Sequence, residues 1–86
     1  MRKMSKFKVG QLVRLKHINV NAVLDDMPDV RVYIIDGYGQ ETRQLRWDWM
    51  PINSIGIIVG EFDKNSFDVL INEKLINISY MYLEPL

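Results

Sequence analysis

The chain contains no cysteine, which excludes a disulfide framework and any thiolate metal site and fits a reducing compartment. Nor does it contain an uninterrupted apolar stretch long enough to cross a bilayer. The basic start Met1-Arg2-Lys3-Met4-Ser5-Lys6 is not followed by an apolar segment, so neither a signal peptide nor a membrane span is expected, and a cytoplasmic location fits best. A long helical period is missing, as are internal repeats, low-complexity tracts and flexible linkers. There is also no net charge, with 11 basic against 11 acidic residues. The balance conceals an asymmetry: Arg2, Lys3, Lys6, Lys8, Arg14 and Lys16 fall within residues 1–17 without an acid, leaving five basic against eleven acidic residues in the remainder. A basic edge of this kind attracts phosphate or an acidic protein surface, and it equally solvates a terminus and protects an edge strand. With 86 residues, the chain is read as one domain, 1–86, with a flexible basic start at 1–6. A domain of this size withdraws only about 60–65% of its extended surface from water, so its stability should be modest.

What is present is short, β-branched strand chemistry punctuated by turn residues. Ile55-Gly56-Ile57-Ile58-Val59-Gly60 leads through Glu61 and Phe62 to the turn cluster Asp63-Lys64-Asn65-Ser66. Phe67, Val69 and Ile71 then alternate with Asp68 and Leu70, the period of a half-buried strand. Asn72-Glu73 makes the next turn, Leu75–Ile78 a third strand, and Ser79-Tyr80-Met81-Tyr82 a single 3₁₀ turn. Connections this short predict an antiparallel meander. Upstream, Gly10 precedes an alternating strand with Val13 and Leu15 on one side and Arg14 and Lys16 on the other. The stretch from Asn19 to Asp29 has loop composition, although Val20–Leu24 would also suit one irregular or helical turn. Val30–Ile35 and Glu41–Trp47, broken by Asp36-Gly37-Tyr38-Gly39, read as a hairpin inserted at 30–47. Pro51 holds Met50 extended where the chain bends toward Ile52. The inserted hairpin is too apolar to stand free in water, so it must fold over the open end of the domain or pair with another copy or a partner through its strand edge.

Two segments carry a resemblance: Phe7-Lys8-Val9-Gly10-Gln11-Leu12-Val13-Arg14-Leu15, and Ser54-Ile55-Gly56-Ile57-Ile58-Val59 through Tyr82-Leu83-Glu84-Pro85-Leu86. Together they resemble small SH3-like barrels, most of all the short proteins of this type encoded by tailed bacteriophages. The resemblance implies an all-β fold, a small SH3-like barrel of about five antiparallel strands; the inserted β-hairpin at Val30–Trp47 is read from the strand pattern and is not explained by the resemblance. It also implies a phage-encoded accessory or virion component, found in the host cytoplasm or the virion. KOW-type modules show a similar pattern, which would imply nucleic-acid contact. The sequence departs from them in placing Glu61, Asp63, Asp68 and Glu73 around the central hairpins, where phosphates would need a basic surface. It also lacks the "ALYDY"-like segment of peptide-binding SH3 domains, so a polyproline groove is not carried over.

No recognisable catalytic constellation is present. His17 has no visible partner groups in the sequence. Asp25, Asp26 and Asp29 lack the spacing of a calcium loop, and Gly37-Tyr38-Gly39 is too short to cradle a phosphate. No cofactor, metal, membrane or small-molecule substrate is expected, and an enzyme is not. Trp47-Asp48-Trp49 is the most informative group: in an extended segment both indoles project to one side. Tyr33, Tyr38, Trp47, Trp49 and Met50 are therefore the candidate protein-binding residues, with one indole expected buried and the other partly exposed. The function read from the sequence is a non-enzymatic protein-interaction or assembly module, binding a protein partner or forming a homo-oligomer. The alternative is a nucleic-acid-binding module using Arg2, Lys3, Lys6, Lys8, Arg14 and Lys16.

Overall fold

The computed structural model describes residues 7–17, 28–36 and 44–86. They form β1 (Leu12–Leu15), β2 (Asp29–Asp36), β3 (Gln44–Pro51), β4 (Ile55–Asp63), β5 (Ser66–Ile71), β6 (Lys74–Ser79), a 3₁₀ turn at Tyr80–Tyr82 and β7 (Leu83–Pro85). All seven strands belong to one antiparallel sheet of order β3-β2-β6-β5-β4-β1-β7. The all-β expectation holds in that form. The sheet takes in the two strands of the inserted hairpin beside five others, and it is open, because among the described residues no ladder joins β3 to β7.

The central meander forms for the reasons its sequence suggests. In β5, Phe67, Val69 and Ile71 are buried on one face, and in β6 so are Ile76 and Ile78. The β5–β6 turn puts Asn72 at φ 52° and Glu73 at φ 66°, the left-handed pair that matches the twist of a two-residue hairpin. At the β4–β5 turn the Asp63 carboxylate accepts the Asn65 N–H at 2.8 Å and the Ser66 hydroxyl at 3.0 Å. Those bonds, the Asn65 one foremost, hold its carboxyl below the ordinary carboxylate range. The turn is therefore best supported with Asp63 ionised, and this support fades as pH falls through the lowered value. Ser79 caps the 3₁₀ turn by accepting the Met81 N–H, and the chain then returns as β7 along β1.

The sheet must curl. β3 and β4 stand four places apart in the strand order, about 19 Å in a flat sheet at ~4.8 Å per strand, whereas the chain from Pro51 to Ile55 spans at most about 14 Å. Curling closes one end: Leu15 N–H donates to Ser54 O and Asn53 N–H to Leu15 O, tying this connection to β1. Register shifts in β4 between Ile58 and Gly60 and between Glu61 and Asp63 bend the longest strand. The concave face then fills with its own side chains. Val13, Leu15, Val30, Val32, Ile34, Met50, Ile58, Phe67, Val69, Ile71, Ile76, Ile78 and Leu83 form one cluster, with the Phe7 ring edge-on to Phe67 at 5.6 Å.

The hairpin of β2 and β3 is part of this sheet. Tyr33 and Ile34 pair with Asn77 and Ile76 of β6, and Val30, Val32 and Ile34 enter the core. Its apolar inner face is thus covered within the chain, edgewise on β6, rather than by lying across an open end. The return strand reaches Pro51 rather than ending at Trp47, and Glu41–Arg43 lie outside the described residues. The turn expected around Gly37-Tyr38-Gly39 and the loop expected from Asn19 lie outside the described residues, the latter up to position 27.

Candidate interaction surface

The parity of each strand decides what the convex face carries. In the hairpin, Arg31 stands opposite Trp49, Tyr33 opposite Trp47 and Ile35 opposite Leu45, all pointing away from the core. The register continues Trp47 and Tyr33 across β6, β5 and β4 through Asn77, Asp68 and Gly60, one lateral row over five strands. Two apolar runs lie beside it: Leu45 with Ile35 on the hairpin, and Leu75, Leu70, Ile57 and Leu12 across β6, β5, β4 and β1. Leu45, Leu70 and Leu12 of these runs are exposed.

Trp47 and Trp49 are 51% and 47% exposed, and Tyr33 is 50% exposed. The expectation of one buried indole is therefore corrected: both lie on the convex face of an edge strand, half open to solvent. The indoles meet edge-to-face at 6.0 Å with an interplanar angle of 84°, a favoured aromatic geometry. The Arg31 guanidinium sits 4.5 Å from the Trp47 ring centroid, close enough for a cation–π contact. The result is a paired aromatic group with a cation at its border. Met50 is corrected as well: it is 2% exposed, belongs to the core, and its sulfur accepts from Asn72 Nδ2 at 3.4 Å. Tyr38 lies outside the described residues.

Asp68 is buried at 4% exposure although it belongs to the convex face, and accepts a 3.1 Å hydrogen bond from Asn77 Nδ2. Burial of a carboxylate with an amide partner fixes the β5–β6 pairing at the centre of the row.

Of the basic residues named for phosphate contact, Arg2, Lys3 and Lys6 lie outside the described residues. Lys8 and Lys16 are exposed, while Arg14 Nη2 is 3.0 Å from Glu84 Oε2 across the β1–β7 ladder. That partner offsets Arg14's charge toward a polyanion. Among the described residues no group of three or more His, Asp and Glu side chains converges as a metal site.

The two edges of the sheet differ. β7 is three residues long and ends at Pro85, a short edge that proline blunts. β3 is eight residues long, pairs with β2 without a register shift, and has proline only at its last position. Which backbone groups face outward follows from two bonds. Ile52 N–H donates to Pro28 O, which fixes the even-numbered residues of β3 as those turned toward β2. Trp49 N–H instead donates to the Asp48 carboxylate at 2.8 Å. Leu45, Trp47 and Trp49 thus present their N–H and C=O groups at an edge that no other strand pairs among the described residues, and Pro51, which has no N–H to lose, falls in the same outward set.

Comparison with family models, curated proteins and solved structures returned no match to this chain.

Proposed function

We propose that this chain is a non-enzymatic protein-interaction or assembly module whose contact surface is the convex face of the β2–β3 hairpin. The observation that carries the proposal is the exposure of Trp47, Trp49 and Tyr33 together on a rigid strand pair. Such aromatics are the residues that dominate binding hot spots, and here they adjoin a strand edge that is unpaired among the described residues, of the kind partners extend. The SH3-like barrel is the finer fold reading within this proposal. It is supported by the chain path of β1, β4, β5, β6, the 3₁₀ turn and β7, with the hairpin interposed between the first and second of these strands. The phage-encoded accessory or virion role, in host cytoplasm or particle, rests on the resemblance described from the sequence.

The only two tryptophans of the chain are on this face, so indole fluorescence reports its occupancy directly. Trp47→Ala with Trp49→Ala should change folding stability by no more than about 1 kcal/mol, since neither ring is in the core. The same pair should remove the partners that the wild-type chain retains from its native source. Nucleic acid would give a different signature: tight binding of single-stranded DNA, double-stranded DNA or RNA, weakening steeply between two salt concentrations. Absence of binding to all three polymers supports the protein-contact reading; salt-sensitive binding with the tryptophan variants unaffected would replace it.

A further inference from the structure

The free edge of β3 is self-complementary in one register. Deepening the interaction reading, and resting on it, we propose that the first partner of this edge is a second copy of the same chain, joined by antiparallel β3–β3 pairing about a two-fold axis at Trp47. Such an interface is isologous, each strand using the same residues as its partner.

The outward backbone groups set the first constraint. A symmetric antiparallel pair must match outward residues with outward residues, so Leu45, Trp47, Trp49 and Pro51 can only face other outward positions. Centring the axis on Trp47 brings each Leu45 opposite Trp49 of the other copy and each Trp47 opposite its equivalent. Leu45, Trp47 and Trp49 then exchange backbone hydrogen bonds, and the Trp49 N–H passes from its own Asp48 carboxylate to the carbonyl of the facing Leu45. On the convex side four indoles and two leucines form one apolar cluster, covering the rings that stand half exposed in the single chain.

The side chains of the other parity choose among registers. In the register centred on Trp47, Arg46 of each copy faces Asp48 of the other, giving two opposite-charge pairs. Moving the axis one residue toward the start of the strand sets Arg46 against Arg46. Moving it one residue the other way sets Asp48 against Asp48, and like charges directly opposed are destabilising. Charged residues on the inner face of an edge are a known guard against pairing. A lone lysine would repel every copy, whereas Arg46 and Asp48, two residues apart and opposite in sign, oppose the neighbouring registers and admit the central one. In the single chain Arg46 Nε is 2.8 Å from Asp36 Oδ2 and its Nη1 4.0 Å from Asp48 Oδ2. The arginine side chain is 58% exposed there, so its guanidinium can turn to a new carboxylate. β7 offers no comparable site, being short and ended by proline.

The test uses charge reversal in trans. Arg46→Glu sets a carboxylate against Asp48 of the facing copy, and Asp48→Lys sets an ammonium against the facing Arg46. Each variant alone should therefore dimerise at least about tenfold more weakly than the wild type, the effect of ~1.4 kcal/mol. Mixed in equal amounts, the two variants bring the introduced carboxylate to the introduced ammonium and the native Asp48 to the native Arg46, and should recover a heterodimer. Sedimentation over a concentration series, with circular dichroism of each variant, reads the outcome. Rescue on mixing supports the proposal even if one variant folds less well, because misfolding is not repaired by a second damaged chain. Wild type that stays monomeric up to about 1 mM, the limit of weak association, overturns it. So does a mixture that associates no better than its components. Either failure leaves the tryptophan face to its own binding test, in which the loss of partners on Trp47→Ala and Trp49→Ala is scored separately.

Discussion

Gly56→Ala will be the most damaging single substitution of a small residue in this chain. Gly56 lies at the middle of the sheet, paired with Val13 on one side and Ile71 on the other. A Cβ there would overlap Ile71 Cγ1 and stand 2.5 Å from the Leu70 carbonyl oxygen. The Ile71 side chain could turn aside only by leaving the core, where it is 1% exposed, and the carbonyl belongs to backbone that cannot yield without opening the β4–β5 ladder. Overpacking of a well-filled core costs up to about 3 kcal/mol, and a clash with backbone belongs at that end. For a domain of this length the melting temperature should fall by about 12–24 °C. The spectrum of the surviving folded fraction should be unchanged, since the defect is steric and local.

The second large effect is expected at Ile76→Ala. Ile76 is fully buried and lies in the row Ile34, Ile76, Val69 and Ile58, which crosses four strands. It is also one of two β6 residues to which the hairpin is paired. Removing its outer carbons leaves a cavity under the joint between hairpin and meander, at a cost of about 2–5 kcal/mol. Leu70→Ala on the adjoining strand makes the contrast. Leu70 is also an aliphatic residue of the sheet, but it faces outward and is exposed, so its loss should stay within about 1 kcal/mol. Urea denaturation of the two variants measures the difference between the faces directly. Equal losses would mean that the convex face is covered.

Much of this architecture was legible from local pattern. The meander and its 3₁₀ turn follow from alternation and from turn residues, because neighbouring strands joined by two residues have little choice of partner. That the hairpin joins the same sheet as the other five strands was not legible in the same way. Pairing of Tyr33 and Ile34 with Asn77 and Ile76 joins segments more than forty positions apart, and no periodicity records which distant edge a hairpin will take. Val30–Ile35 compounds the difficulty, since Ile34 and Ile35 are both buried while pointing to opposite faces. The tryptophans show what alternation does and does not carry. It places both indoles on one side, but only the register against β2 tells that this side is the convex one. Met50 could have been separated from them beforehand: it is one position from Trp49 and three from Trp47, so on a strand it must face the other way. Arg31 interrupts an apolar run in the sequence, yet the hairpin register that sets Tyr33 opposite Trp47 also puts this cation on the same face.

The claim on which function rests is that β3 is an open edge carrying an exposed aromatic face. Amide hydrogen exchange along Gln44–Pro51 tests it most directly. In dilute solution protection should alternate, slow at Arg46, Asp48 and Met50, whose N–H groups turn toward β2, and fast at Leu45 and Trp47. As the protein is concentrated, Leu45 and Trp47 should become protected while the other three change little. Uniformly fast exchange would show that β3 is not held in the sheet, and protection of Leu45 and Trp47 in a dilute monomer would show that the chain covers this edge itself.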